Sequence, residues 1–173
     1  MMLDYFTQIA VAYGYQGSGA TYIDTSNILD RTIAQEEGSG EELCSYIFVH
    51  TAWTTANSST LRAGVVGNIS DATFNGGTLA GGGNIILADT GTIATGSVAT
   101  TFPAGANWKI PWPRQTWGAS ATNADYEAKT SFIRYVTFFL VQSAACATGA
   151  FDAWIGPAKG FQDNISYKCG FTV

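Results

Sequence analysis

The chain has 173 residues, of which 46% are hydrophobic and only 12% charged, and its formal net charge is -5. That length buries about 70% of an unfolded chain's surface, so one domain with its own core is expected. Charge at about half the usual share of roughly 25% predicts a surface made for contact, while the scarcity of Lys and Arg excludes nucleic acid as the main partner, because phosphate binding needs clustered cations.

In chain order, Met1 to Gly19 carries Tyr5, Phe6, Tyr13 and Tyr15 ahead of Gly17-Ser18-Gly19. This pattern predicts an N-terminal arm over 1–19 joined by a hinge to a single domain over 20–173, with the four aromatics as candidate contacts to a partner. Such an arm contributes to attachment and little to folding. Asp4 and the absence of a basic residue before Ala12 are the wrong start for a secretory signal. No run of about 18 apolar residues occurs, so no membrane-spanning helix and no membrane partner are expected.

Tyr22-Ile23-Asp24 reads as a short strand, and the polar run from Asn27 to Gly40 as a loop. Leu43 to Trp53 alternates Leu43, Ile47 and Val49 on one face with Cys44, Tyr46 and Phe48 on the other, which predicts a strand apolar on both sides. Asn57-Ser58-Ser59 marks a turn, Leu61 to Asn68 a strand with Gly64 and Gly67 at bulges or close approaches, and Ser70 to Gly77 another turn. Gly81-Gly82-Gly83-Asn84 separates this from Ile85-Ile86-Leu87, and Ile93 to Thr101 is small and polar. Trp108 to Pro113 holds two prolines and so belongs at a sheet edge. Ala119 to Lys129 reads as a loop.

Phe132 to Val141 is the strongest strand, with four aromatic side chains, three β-branched aliphatic ones and no Gly or Pro. Phe132, Val136, Phe138 and Leu140 alternate with Ile133, Tyr135, Phe139 and Val141, so both faces are apolar, as only a covered central strand requires. The strand at Leu43 to Trp53 is its expected neighbour. Ala150 to Ile155 and Ile165 to Val173 complete the set. The class is all-β, a β-sandwich or jelly roll with an N-terminal arm.

Chemistry-bearing motifs are few. His50 is the one histidine and lies within a strand beside Phe48, a setting typical of packing, and no G-x-S-x-G elbow accompanies it. Glu36, Glu37, Glu41 and Glu42 lack calcium-loop spacing and read as solvated loop carboxylates. Gly81 to Gly83 is not followed by the Lys and Ser/Thr of a phosphate cradle. Cys44, Cys146 and Cys169 form no C-x-x-C pair, so structural zinc is not expected and buried thiols are. The sequons at Asn57, Asn68 and Asn164 carry no meaning without a secretory route. These residues predict no catalytic site, no metal and no cofactor. Trp108, Trp112 and Trp117 lie close together, and Trp108 and Trp112 share a face of an extended segment. They serve either as a platform for sugar rings or as anchors of a core or interface, and the second use is the commoner for Trp.

Longer patterns carry a resemblance. Tyr22-Ile23-Asp24, Asn27-Ile28-Leu29-Asp30-Arg31, and Gly40-Glu41-Glu42-Leu43 opening a strand that ends Val49-His50-Thr51-Ala52-Trp53 resemble the small capsid cement proteins of tailed phages, the group of the Bordetella-phage cement protein. Ser59-Thr60-Leu61, Ser70-Asp71-Ala72-Thr73-Phe74, Phe102-Pro103-Ala104-Gly105 and Arg134-Tyr135-Val136 extend the likeness across roughly Tyr22 to Pro157. The segment Gln115 to Lys129, the aromatic arm and the tail from Ala158 depart from it. The resemblance implies a jelly-roll protein, often a homodimer, assembled in the host cytoplasm onto the capsid exterior of the virion, where it clamps major capsid proteins without catalysis or cofactor. The alternatives are a carbohydrate-binding or tail-fibre-type receptor-binding module and, more distantly, a jelly-roll glycosidase using Glu41 and Glu42.

Overall fold

The structure, a computed structural model, describes residues 8–14, 20–35, 43–55, 60–68, 70, 74, 79, 84–94, 97–112, 133–143 and 146–157. Its elements in order are β1 (Gln8–Gly14), β2 (Ala20–Ile23), β3 (Leu29–Gln35), β4 (Leu43–Thr55), β5 (Leu61–Asn68), β6 (Ile85–Asp89), a helical turn α1 (Val98–Thr101), β7 (Asn107–Pro111), β8 (Ile133–Gln142) and β9 (Cys146–Pro157). The strands form two antiparallel sheets, one ordered β1-β9-β4-β7 and the other β2-β8-β5-β6, with β3 also on β8. The sequence expectation of an all-β sandwich holds.

The pairing is nested. β1 pairs with β9, β2 and β3 with β8, β4 with β7, and β5 with β6. The chain is therefore one antiparallel ribbon doubled back between β5 and β6, and it is rolled so that β4 also meets β9 and β5 also meets β8. Rolling brings the inward faces together: Leu61, Ala63 and Val65 of β5 and Val136, Phe138 and Leu140 of β8 share one core with Ile47 and Val49 of β4 and Phe151, Ala153 and Ile155 of β9. Phe151 is its hub, stacked on Trp53 at 5.1 Å, edge-on to Phe102 at 5.4 Å and tilted against Phe138 at 5.8 Å. Full burial of each such side chain contributes about 1.5–3 kcal/mol. Gly149 makes the Trp53 position possible: a Cβ there, at φ +145°, would lie 2.1 Å from Trp53 Cδ2.

β8 is central and covered on both sides, as its two apolar faces require. The face away from the main core packs Phe139 with Ile23 and Val66 beneath Phe74, with Leu79 alongside. Ile133 departs from the expected alternation and joins the main core with Val136. Its Cγ2 lies 2.8 Å from where a Cβ on Gly67 would sit, so the bare glycine backbone makes room for it. β7 lies at a sheet edge among the described strands, as the prolines of Trp108 to Pro113 predicted.

Three expectations are corrected. Gln8–Gly14, expected as part of a free arm, is a strand on β9, with Ile9 and Ala10 fully buried in the main core. The segment 29–35, expected as loop, is β3: Asp30 stands opposite Tyr135, and its carboxylate receives two hydrogen bonds from Arg134, both 2.8 Å, which neutralises a polar strand across the ladder. β4 does not pair with β8. It lies in the opposite sheet between β7 and β9, and its two-sided apolarity reflects the main core on one face and the Cys44–Tyr46 cluster with Trp154 on the other. The expected turns at Asn57-Ser58-Ser59 and Gly81 to Gly83, the loop Ala119 to Lys129 and the strand Ile165 to Val173 lie outside the described residues, as do Glu36, Glu37, Glu41 and Glu42.

Candidate interaction surface

The outward face of the first sheet is built from alternate residues of β4 and their cross-strand partners. Lys109, Tyr46, Trp154 and Gln8 form one row across β7, β4, β9 and β1, and Asn107, Phe48 and Asp152 form the next. Lys109 Nζ stands 5.9 Å from the centre of the Tyr46 ring, within the range in which an aromatic face attracts a cation. Burial pushes the Tyr46 hydroxyl well above the ordinary phenol range, so it stays protonated. Phe48 and Trp154 are half-buried, and Lys109, Asn107 and His50 are exposed.

Beside these rows the β1 ladder breaks twice, between Gln8 and Ala10 and between Ala10 and Tyr13. The break leaves Val11 50% exposed, the one exposed large hydrophobic side chain among the described residues, and holds Ala12 at φ +45°, a left-handed backbone uncommon for a residue with a Cβ. Asp152 stabilises it. One carboxylate oxygen, Oδ1, accepts the Ala12 N–H at 2.7 Å, and the other, Oδ2, lies 3.1 Å from Nδ1 of His50. The Asp152 side chain is 12% exposed against 53% for His50, so a shielded carboxylate orients an imidazole that faces water. The packing role expected of His50 is thus corrected. Alternation puts His50 on the Cys44, Tyr46 and Phe48 side of β4, a side that the sequence predicts to be covered, and its partner lies in another strand.

Chemically, an oriented imidazole is half of a nucleophilic site, yet His50 hydrogen-bonds only Asp152 among the described residues, so no hydroxyl or thiol there is activated by it. Among those residues no group of three or more His, Cys, Asp or Glu is placed to hold a metal ion. No helix among them is long and apolar enough to cross a membrane.

The contact residues expected from the sequence fare differently. Tyr13 packs edge-on against Phe138 at 5.8 Å and belongs to the rim of the core. Burial, with the Asp24 carboxylate and Tyr22 adding to it, pushes its hydroxyl up to about 12. Trp112 is buried, with Nε1 donating to Ser45 Oγ at 2.6 Å, and Trp108 packs on Phe102 at 4.8 Å. Both are core anchors, because their shared face of the edge segment points inward. Tyr5, Phe6, Tyr15 and Trp117 lie outside the described residues. No family model matches the chain, and no curated protein matches it.

Proposed function

We propose that this protein is a jelly-roll structural component of a virion, a cement or decoration protein that binds the exterior of a phage head, acts as a homodimer and stabilises contacts between major capsid proteins. The observation that carries the reading is the outward face of the β1-β9-β4-β7 sheet. Those four strands contain a single carboxylate, Asp152, in a chain of net charge -5, and that carboxylate is shielded and paired. What remains is a surface of half-buried Phe48 and Trp154 with exposed Val11, His50 and Lys109. Depletion of charge with aromatic enrichment marks the centres of protein interfaces.

The nested strand order supports a jelly roll, in which two Greek keys leave broad rigid faces for contact. A clamp needs no special chemistry, since modest contacts made to several subunits at once add up. The glycan-platform alternative loses its motive with Trp108 and Trp112 turned inward. The test is cosedimentation with phage heads assembled from a major capsid protein encoded in the same genome as this chain. Saturable binding that weakens at least tenfold in a Phe48→Ala, Trp154→Ala double variant is expected. Failure of the native protein to sediment with those heads would overturn the reading.

A further inference from the structure

We propose that β1 is an exchangeable strand, whose place on β9 can be taken by β1 of a second copy of this chain, and that the Asp152–His50 pair is the latch governing how readily it leaves. The proposal concerns the free protein and holds whether or not a capsid is its partner.

Among the described strands β1 lies at the edge of its sheet and pairs with β9 alone. Two register breaks within seven residues interrupt the backbone ladder, so side chains share in holding β1. Those side chains are Ile9, Ala10 and Tyr13 in the core and the Asp152 carboxylate, which grips the left-handed Ala12 through its amide. Release into water would expose Ile9 and Ala10 and strip the shielded carboxylate of a donor, which is unfavourable. Exchange avoids both penalties, because the incoming strand restores every contact that the outgoing one loses.

Connectivity allows it. β1 and β2 lie in opposite sheets, and five residues of sequence, 15–19, separate them. A β1 delivered to its own β9 and one delivered to a two-fold mate satisfy the same register, Gln8 opposite Trp154 through Gly14 opposite Ala150. An exchanged dimer is therefore isologous and closed, and the strand that fits the site is one the chain already carries.

The test mixes isotopically labelled and unlabelled full-length protein at about 100 µM, where mass action favours the dimer, and follows mixed dimers by native mass spectrometry. Native protein should form them over hours. Asp152→Asn, His50→Ala and Ile9→Ala should each do so about tenfold faster, whereas Phe139→Leu, a destabilising change on the other sheet, should leave the rate within about twofold. His50→Ala removes an exposed side chain and keeps the test usable should Asp152→Asn fold poorly. Absence of mixed dimers from both the native and the His50→Ala proteins overturns the proposal. Mixed dimers whose rate ignores the β1 and latch variants also overturn it, since the subunits then meet elsewhere.

Discussion

Replacing Ile9 with Ala separates a strand from an arm. Ile9 is fully buried in the main core, so the change deletes three carbons at about 0.8 kcal/mol per methylene and leaves a cavity that a two-sheet core closes only partly. The expected loss is about 3 kcal/mol, within the range of about 2–5 for such truncations. For a chain of 173 residues, each kcal/mol moves the midpoint by about 2–4 °C, so calorimetry should show a fall of about 6–12 °C. In urea the midpoint concentration should fall with an unchanged slope. Val11→Ala is the internal control: two residues along the same strand and 50% exposed, it should change stability by less than about 0.5 kcal/mol. If Ile9→Ala and Val11→Ala are indistinguishable from native protein, β1 is not seated in the core in solution and the reasoning from burial is wrong.

Gly149→Ala should cost about 2–5 kcal/mol, because its Cβ would overlap the Trp53 ring and its backbone at φ +145° suits glycine; near-native melting would contradict this. Trp112→Phe should lose about 1–3 kcal/mol by leaving the buried Ser45 hydroxyl without its indole donor, and Trp112→Phe, Ser45→Ala should recover part of that, as a double-mutant cycle would reveal. Tyr13 sits at about 12 against an ordinary 10.0. A raised tyrosine pKa means that the folded protein keeps a proton the unfolded chain sheds, so stability is intact below about pH 10 and falls as pH rises toward about 12. Tyr13→Phe should flatten that fall; identical alkaline profiles by denaturant titration would show that Tyr13 does not cause it.

The parts of the fold legible in the sequence are those whose signal is local. β8 declared itself by an unbroken run of bulky residues with two apolar faces, β5 by a run bounded at Leu61 and Asn68, and β7 by prolines that exclude a central position. β3 was hidden because Asp30 reads as a loop residue until Arg134, far away in sequence, neutralises it. β1 was hidden for two reasons. Its register breaks place Ile9 and Ala10 both inward, which erases the period of two, and the glycines after it look like a hinge. β4 showed two apolar faces, but such a pattern says only that a strand is covered, not which strands flank it. At the candidate surface the outward position of His50 was not legible, because apolar residues on both faces of β4 made that side look covered, and Asp152, on another strand and set to orient it, had no local signature.

The proposed cement role makes one physical demand, that a phage head be harder to take apart with this protein bound. Heads assembled from a major capsid protein encoded in the same genome should therefore be heated with and without saturating amounts of it, and their disassembly followed by light scattering. Decorated heads should survive several degrees higher than bare ones, and the Phe48→Ala, Trp154→Ala variant should give little of that gain. Heads that bind the protein but come apart at the same temperature with and without it would contradict the cement role.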